Sequence, residues 1–196
     1  MTSNELKRAK RAIRRQVLTA RDAIPPAELV AGGEAVADAI AGLSEVSAGT
    51  VVMSYWAFGS EVPTAPLHRR LWAAGVTVAL PRIEDGELRI LVYRDGDPLT
   101  TTGFGALEPA PDASPVAATD LDVIATPGVA FDREGRRIGY GGGFYDRLFP
   151  RAPGALRIGV AHDLQVLDGP LPAGHFDLRV QAICTPTVLR RLAAPT

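Results

Sequence analysis

The chain has 196 residues, of which 46% are apolar and 22% charged, and its formal net charge is −1. This length predicts one domain, residues 1–196, with a sizeable core. No segment approaches the roughly 20 consecutive apolar residues that cross a membrane, so we expect a globular, cytoplasmic protein with no membrane partner. The single cysteine, Cys184, lies in an apolar run, which rules out a disulfide framework and predicts a buried thiol.

The N-terminal segment is basic and predicts a helix. Residues 1–21 hold seven Lys or Arg residues and one acidic residue, Glu5, a local charge of +6. Thr2 and Glu5 have the spacing of a capping box, and two prolines at 25–26 end the pattern. Because the remainder of the chain carries −7, it opposes a broad basic face for duplex nucleic acid. A small anionic ligand is the more economical partner, and we expect no nucleic acid.

Three cations border the apolar side of this helix. At 100° per residue, Lys10, Arg14 and Arg21 flank the apolar arc, whereas Arg8 and Arg15 point away. A cation at this border can pack its stem on the core and extend its head into a cleft. The alternative is an ordinary solvated basic face.

The rest of the chain alternates between strand and helix patterns. We expect a helix over 26–43, a surface excursion over 94–120 and a short terminal helix over 186–194. A strand at 50–56, a helix over 63–75 and a strand at 76–81 form a β-α-β unit, and further strands are predicted at 87–93, 121–127, 156–162 and 178–185. The fold class is therefore α/β, a three-layer αβα sandwich with a mostly parallel central sheet.

The stretch "GRRIGYGGGFYDR", residues 135–147, combines glycines with charge. Glycines at 139 and 141–143 let backbone N–H groups converge on an anion, which indicates a phosphate cradle; a tight turn or flexible loop is the alternative. A helix is expected to begin near Gly143. Asp146 could hold Mg²⁺ against phosphate or could simply be a charge near a helix N-terminus.

A second loop, "WAFGSEVPT", follows the strand at 50–56 and should open at the same sheet edge. Aromatic residues in both loops suggest a flat heterocyclic ligand, although core packing is an alternative for Tyr55 and Phe144. Glu61 could accept hydrogen bonds from such a ligand or could be a solubilising charge. The three histidines lack zinc-site spacing, and no serine has the setting of a nucleophile.

The sequence resembles the 5-formyltetrahydrofolate cyclo-ligase family, also called 5,10-methenyltetrahydrofolate synthetases, over nearly its whole length. The resemblance is carried by "KRAIR" at 10–14, "SEVPT" at 60–64, "LDVIATPGVAFDREGRRIGYGGGFYDR" at 121–147, and "IGVAHDLQ" and "LPAGHFD" near the end. It implies that 5-formyltetrahydrofolate and ATP give 5,10-methenyltetrahydrofolate, ADP and phosphate, with Mg²⁺ required. The formyl oxygen would attack the γ-phosphate, and N10 would then close onto the activated carbon. We expect a monomer.

The resemblance also implies site residues. Lys10 and Arg14 would stabilise charge in the reaction. Folate would contact Trp56, Glu61, Tyr140, Phe144 and Tyr145, and Asp146 would bind the metal. ATP would be bound by Lys10, Arg11, Arg14, Arg137, Ile138, Gly139, Tyr140, Gly141, Gly142, Gly143, Phe144 and Tyr145.

This chain departs from the family pattern at one position. Many members have a second carboxylate four residues after the aspartate of "HFD", where this chain has Gln181. An amide is a weaker Mg²⁺ ligand than a carboxylate, so metal affinity and activity depend on which group replaces the missing carboxylate. Lys10, by contrast, is one of only two lysines among 21 basic residues, which suggests a selected point charge for phosphate.

Other functions stay open at this level. A small kinase or another nucleotide-dependent ligase could use the same cradle on a different substrate. Gln181 favours a second alternative, a non-catalytic protein that binds folate or a nucleotide. Nucleic-acid binding through the basic helix would reveal itself by a steep salt dependence.

Overall fold

The structure is a computed structural model that describes residues 2–102 and 105–193. Its α-helices are α1 (Ser3–Arg21), α2 (Pro26–Ala41), α3 (Ala65–Ala73) and α4 (Phe144–Leu148), and short 3₁₀ turns occupy Ala118–Asp120, Phe149–Arg151 and Asp163–Gln165. The strands are β1 (Val51–Met53), β2 (Thr77–Glu84), β3 (Glu87–Val92), β4 (Leu99–Thr101), β5 (Leu107–Pro109), β6 (Val123–Pro127), β7 (Ala130–Asp132), β8 (Arg137–Ile138), β9 (Leu156–Val160), β10 (Val166–Leu167), β11 (Ala182–Cys184) and β12 (Leu189–Arg191).

A seven-stranded sheet in the order β12-β11-β9-β6-β1-β2-β3 forms the centre of the fold. The five inner strands run parallel, and the edge strands β12 and β3 pair antiparallel to their neighbours. The predicted β-α-β unit is β1-α3-β2, with Val51 in register with Thr77. The mostly parallel α/β sheet predicted from the sequence is thereby confirmed.

The inner strands are apolar on both faces because both faces are covered. Val52 and Ala125 face α2 and α3, where Ile40 and Leu71 are fully buried. On the other face, Ile124 and its neighbours pack against Phe131, Leu148 and Phe149. That second layer is thin, since α4 has only five residues.

Helix α1 stands apart from the main layers. Its predicted capping box is present, with Thr2 and Glu5 bonding reciprocally. Val17 is its one buried apolar residue, and it joins a small cluster with Val129, Ile138 and Leu171 over the sheet β10-β7-β8. This apolar contact is small, so the position of α1 also depends on the polar contacts of Lys10, Arg14 and Arg21 to neighbouring loops.

The predicted terminal helix is wrong over the residues described. Leu189–Arg191 forms β12, which pairs antiparallel with Ala182–Cys184 of β11. The helical pattern of this segment is overridden because the backbone of β11 would otherwise present an open sheet edge. Within 94–120, β4 and β5 form a small antiparallel hairpin, whose residues 103 and 104 lie outside the described ranges.

The buried thiol predicted at Cys184 is confirmed. Cys184 is fully buried, and burial raises the pKa of its thiol to about 12, as expected for an inert core cysteine. Across the described ranges, none of the helices is long and apolar enough to span a bilayer.

Candidate functional site

A cleft of about 680 Å³ lies between α1, the glycine loop (residues 139–143) and the segment 174–177. Its position follows from topology: β1 and β6 are adjacent and parallel, so the loops that follow them open at the same sheet edge. The residues that line it are Ser3, Leu6, Lys7, Lys10, Arg11, Arg14, Pro127, Arg137, Gly139, Tyr140, Gly141, Gly142, Gly143, Phe144, Tyr145, Asp146, Gly174, His175, Phe176 and Asp177.

The glycine loop needs glycine for two separate reasons. Gly141 and Gly143 have φ of +112° and +66°, where an L side chain is strained. Gly139 has no such φ, but a Cβ there would lie 2.6 Å from Nη1 of Arg137. The helix predicted near Gly143 does begin there as α4. The loop therefore exposes backbone toward the cleft without side chains in the way.

Helix α1 supplies the cations of the opposite wall. Lys10 forms an ion pair with Asp177, and Nε of Arg14 donates to the Gly139 carbonyl oxygen at 2.6 Å. Burial lowers the pKa of Arg14, which nevertheless stays a cation at neutral pH. Arg11 is exposed at the rim. The predicted border cations thus lie where the helical pattern placed them.

Arg137 and Asp146 form the floor of the cleft. The Arg137 side chain is only 6% exposed, and its Nη2 lies 3.1 Å from Oδ2 of Asp146. Oδ1 of Asp146 accepts from the backbone N–H of Leu178 at 3.0 Å. Within the described chain, the buried Nε of Arg137 and the buried hydroxyl of Tyr145 have no hydrogen-bond partner. Unsatisfied polar atoms of this kind beside a cleft suit a polar ligand.

Glu61 is buried at the neighbouring loop, which excludes the interpretation as a solubilising charge. It is 7% exposed, its Oε1 accepts from the Tyr140 hydroxyl at 2.7 Å, and its Oε2 accepts from the backbone N–H of Phe58 at 3.0 Å. Burial raises the pKa of Glu61, while these two hydrogen bonds and the charge of Arg21 oppose the rise. Tyr140 belongs to the glycine loop, so one hydrogen bond joins the two loops.

Four predicted site residues do not line the cleft: Glu61, which is joined to it through Tyr140, and Trp56, Ile138 and Gln181, which lie elsewhere. Trp56 packs in an aromatic cluster, with its ring 5.7 Å from those of His68 and Tyr93. Ile138 is buried in the cluster under α1. Gln181 accepts from the backbone N–H and Nε of Arg157 at the start of β11, so its side chain is not beside Asp146 at the cleft.

The sequence did not predict a role for Asp177, nor the burial and the partner of Arg21. Asp177 is the carboxylate that holds Lys10, across 167 positions in the chain. The motif "LPAGHFD" supports the family resemblance but does not by itself predict a role for this aspartate. Arg21 was placed at the helix border, and the structure shows that it is 3% exposed and bonded to Ser60. Neither long-range partner could be read from local spacing.

A zinc-type centre has no support in residues 2–102 and 105–193, since no three His, Cys, Asp or Glu side chains there form a metal-binding group. The fully buried His68 bonds to Ser54, and burial lowers its pKa to about 4. The carboxylates that line the cleft are Asp146 and Asp177. A site of this composition suits Mg²⁺ only in company with a phosphate ligand.

Comparison with known proteins identifies the family. The 5-formyltetrahydrofolate cyclo-ligase family profile matches residues 6–186. The 5-formyltetrahydrofolate cyclo-ligases of Escherichia coli K12 and Mycolicibacterium smegmatis are 34% and 33% identical, over 85% and 91% of this chain and 94% of each relative. The structure of Aquifex aeolicus 5,10-methenyltetrahydrofolate synthetase superposes with a TM-score of 0.82 at 32% identity, covering 95% of this chain and 94% of that one.

A Mycoplasma pneumoniae 5,10-methenyltetrahydrofolate synthetase, 19% identical, shares the fold with a TM-score of 0.73 over 90% of this chain and 98% of that one. The profile match spans β1, β6, the glycine loop and every residue that lines the cleft except Ser3. The resemblance seen in the sequence motifs therefore extends to the entire folded arrangement. The chain belongs to the 5-formyltetrahydrofolate cyclo-ligase family.

Proposed function

We propose that this chain converts 5-formyltetrahydrofolate and ATP into 5,10-methenyltetrahydrofolate, ADP and phosphate at the cleft between α1 and the glycine loop. The hydrogen bond from Tyr140 to Glu61 carries the proposal. It makes an anion-binding loop and a buried carboxylate acceptor immediate neighbours, as a reaction between a triphosphate and a heterocycle requires.

The nucleotide is proposed to lie along the glycine loop and α1. Lys10, Arg14 and Arg137 supply positive charge from two walls, and the loop offers backbone N–H groups. The side chains that line the cleft, Arg11, Phe144 and Tyr145 among them, would complete the ATP site. Ile138 would contribute through the backbone and through core packing, because its side chain is buried in the cluster under α1.

The cleft also fits Mg²⁺, which takes one or two protein carboxylates together with phosphate oxygens. Asp146 would hold the ion, and Asp177, on the facing segment, is the second carboxylate available. Bound there, Mg²⁺ would neutralise charge on the triphosphate. Gln181 does not contribute in this arrangement, since its side chain bonds to Arg157.

The folate is proposed to lie at the Glu61 end. Tyr140, Phe144 and Tyr145 provide aromatic faces there, and Glu61 accepts N–H groups of the pterin ring. Trp56 would act indirectly, by packing behind the loop that carries Glu61. The Tyr145 hydroxyl is buried and lacks a partner within the described chain, so a polar atom of the substrate would reach it only after the side chains around it move.

The family resemblance implies the chemistry that this placement would serve. The formyl oxygen attacks the γ-phosphorus, the bond from that phosphorus to the β,γ-bridging oxygen breaks, and ADP leaves. N10 then attacks the activated formyl carbon, N10 loses its proton, and phosphate departs with the former formyl oxygen. Lys10 and Arg14 would stabilise the charge that develops on the transferred phosphoryl group, so their contribution is electrostatic and positional.

One assay tests the proposal against its rivals. The purified protein is mixed with 5-formyltetrahydrofolate, ATP and Mg²⁺, and methenyl absorbance and ADP are followed together. Equal formation of both products is expected. ADP without methenyl product would indicate a kinase or a different ligase, and tight folate binding with neither product would indicate a binding protein. The same preparation tests by size-exclusion chromatography our expectation of a monomer.

A further inference from the structure

The last residue of α1, Arg21, is a buried cation. It is 3% exposed, its Nε donates to the hydroxyl of Ser60 at 2.9 Å, and its buried Nη1 has no hydrogen-bond partner in the described part of the chain. Burying a guanidinium this far is costly unless its charge meets an opposite one. The position of Arg21 therefore calls for an acidic counterpart.

Two carboxylates adjoin Ser60, the residue that Arg21 binds: Asp22 accepts from the Ser60 hydroxyl, and the buried Glu61 directly follows Ser60 in the chain. The other titratable groups around Arg21 and Glu61 are Tyr55 after β1, Tyr140 in the glycine loop, Tyr145 in α4 and His162 after β9, together with Asp22 on the Ser60 hydroxyl. Burial raises the pKa of each tyrosine and lowers that of His162, so all four are neutral at pH 7. Arg21 is the cation whose charge favours ionisation of Glu61.

Arg21 also fixes the loop that carries Glu61. The Ser60 hydroxyl donates to Asp22 as well, and the Ser60 carbonyl oxygen lies 3.2 Å from Nε2 of His162. Glu61 is thus held by its own two hydrogen bonds and by the anchored residue before it. A carboxylate has about four lone-pair sites, so with Tyr140 and Phe58 bound about two remain for a ligand.

We propose that Arg21 is a positioning residue for the folate substrate, acting through Glu61 as its counter-charge and through Ser60 as the anchor of its loop. The inference rests on the proposed function, in which 5-formyltetrahydrofolate binds against Glu61. It assigns the C-terminal end of α1 to the folate site, while Lys10 and Arg14 of the same helix belong to the nucleotide.

The test measures binding of 5-formyltetrahydrofolate without ATP, by calorimetry, from about pH 5 to about pH 8, the range around the reference values for Glu and His. Arg21→Met should weaken binding roughly tenfold at neutral pH, as expected for loss of a partly buried charge partner. It should also move the pH at which half the affinity is lost upward, because Glu61 loses the cation that lowers its pKa. Arg21→Lys keeps the charge and should keep the wild-type midpoint.

A purely structural role would change stability without moving that midpoint, so an unchanged midpoint in Arg21→Met overturns the proposal. In the Glu61→Gln background, Arg21→Met should have little further effect on folate affinity; an undiminished effect also overturns it. The Kd of ATP should stay within about twofold in every Arg21 variant, the usual scatter for an uninvolved site.

Failure of the inference can be told apart from failure of the proposed function. If the wild-type protein does not bind 5-formyltetrahydrofolate, the proposed function fails and the inference fails with it. If the wild type binds and Arg21→Met binds equally well, the inference alone fails. Should Arg21→Met not fold, Ser60→Ala replaces it: about threefold weaker folate binding at unchanged ATP affinity is expected from the lost anchor, and unchanged folate binding contradicts the proposal.

Discussion

The proposed nucleotide end, in the cleft, and the proposed folate end, at the Glu61 loop beside the cleft, are built in opposite ways. At the nucleotide end, Lys10 and Arg14 are half-buried at the rim, and glycines leave the backbone open. At the folate end, Glu61 is buried and bonded to Tyr140 and Phe58. A triphosphate needs many adaptable positive partners, whereas a neutral heterocycle is recognised by a few fixed acceptors in a desolvated setting.

The difference extends to how each end satisfies its charges without ligand. At the nucleotide end Lys10 pairs with Asp177 and Arg137 with Asp146, so these two cations already have anionic partners, whereas Arg14 donates to the Gly139 carbonyl oxygen. Phosphate oxygens can take over these cations, and the released carboxylates are then free for a metal. At the folate end Glu61 accepts hydrogen bonds from Tyr140 and Phe58, and the charge of Arg21 favours its ionised form. Substitutions should therefore separate the two ends cleanly.

The largest effect is expected from Lys10→Ala. Loss of a charge-assisted contact to phosphate should weaken ATP binding roughly 100-fold, near the upper limit for a hydrogen bond to a charged group. Folate affinity should change by less than about threefold. Calorimetry with each ligand separately measures both. Arg8→Ala, an exposed cation on the same helix, is the matched control and should leave both affinities unchanged.

Glu61→Ala should show the reverse selectivity. Removing the buried acceptor should weaken 5-formyltetrahydrofolate binding roughly 30-fold, because the pterin N–H groups lose their partner in a desolvated site. ATP binding should weaken far less, because the one change at the glycine loop is that Tyr140 loses its hydrogen bond to Glu61. Glu28→Ala removes an exposed glutamate and serves as the control. Equal losses for both ligands in Lys10→Ala and in Glu61→Ala would contradict the division of the cleft.

Gly141→Ala should affect the nucleotide end through the backbone. Its φ of +112° is strained for alanine, while the nearest atom to a new Cβ is 3.8 Å away, on Arg14. Backbone strain of about 1–3 kcal/mol should weaken ATP binding about tenfold if the loop must hold this conformation. Gly49→Ala provides the control, because Gly49 has φ of +88° in a surface turn with no atom within 4 Å. It should lower Tm and leave ATP affinity intact.

The smallest effect concerns stability. Because burial raises the pKa of Glu61, its ionised form destabilises the folded state, and this cost appears as pH rises through that pKa. Glu61→Gln should therefore raise Tm at pH 7 by about 2 °C, a change of under about 1 kcal/mol for a chain of this size, while folate binding weakens but stays measurable. Below the pKa the two proteins should melt alike. A lower Tm for Glu61→Gln at pH 7 would show that the ionised carboxylate stabilises the fold.

Much of this fold could be predicted because its signals are local. The capping box of Thr2 and Glu5, the β-α-β unit and the glycine loop each lie within a short stretch of sequence. The terminal helix was predicted wrongly because the strand pairing of Leu189–Arg191 depends on β11, which comes from another segment. Propensity yields to tertiary pairing in such cases.

The site residues differ in the same way: their positions on local elements could be predicted, but their long-range partners could not. Helical periodicity placed Lys10, Arg14 and Arg21 at the border of α1, and topology placed the two loops at one edge. The partners of those cations, Asp177 and Ser60, lie 167 and 39 positions away and no period links them. Burial of Glu61 likewise depends on how Tyr140 folds over it.

The proposed function requires that the formyl oxygen of the folate attack the γ-phosphate of ATP inside this cleft. The most direct test uses 5-formyltetrahydrofolate labelled with ¹⁸O at the formyl group, and mass spectrometry of the phosphate released. One label atom per phosphate, formed in step with the methenyl product, is the predicted result. Unlabelled phosphate would show that water or another nucleophile takes the phosphoryl group, and would contradict the placement of both substrates in one cleft.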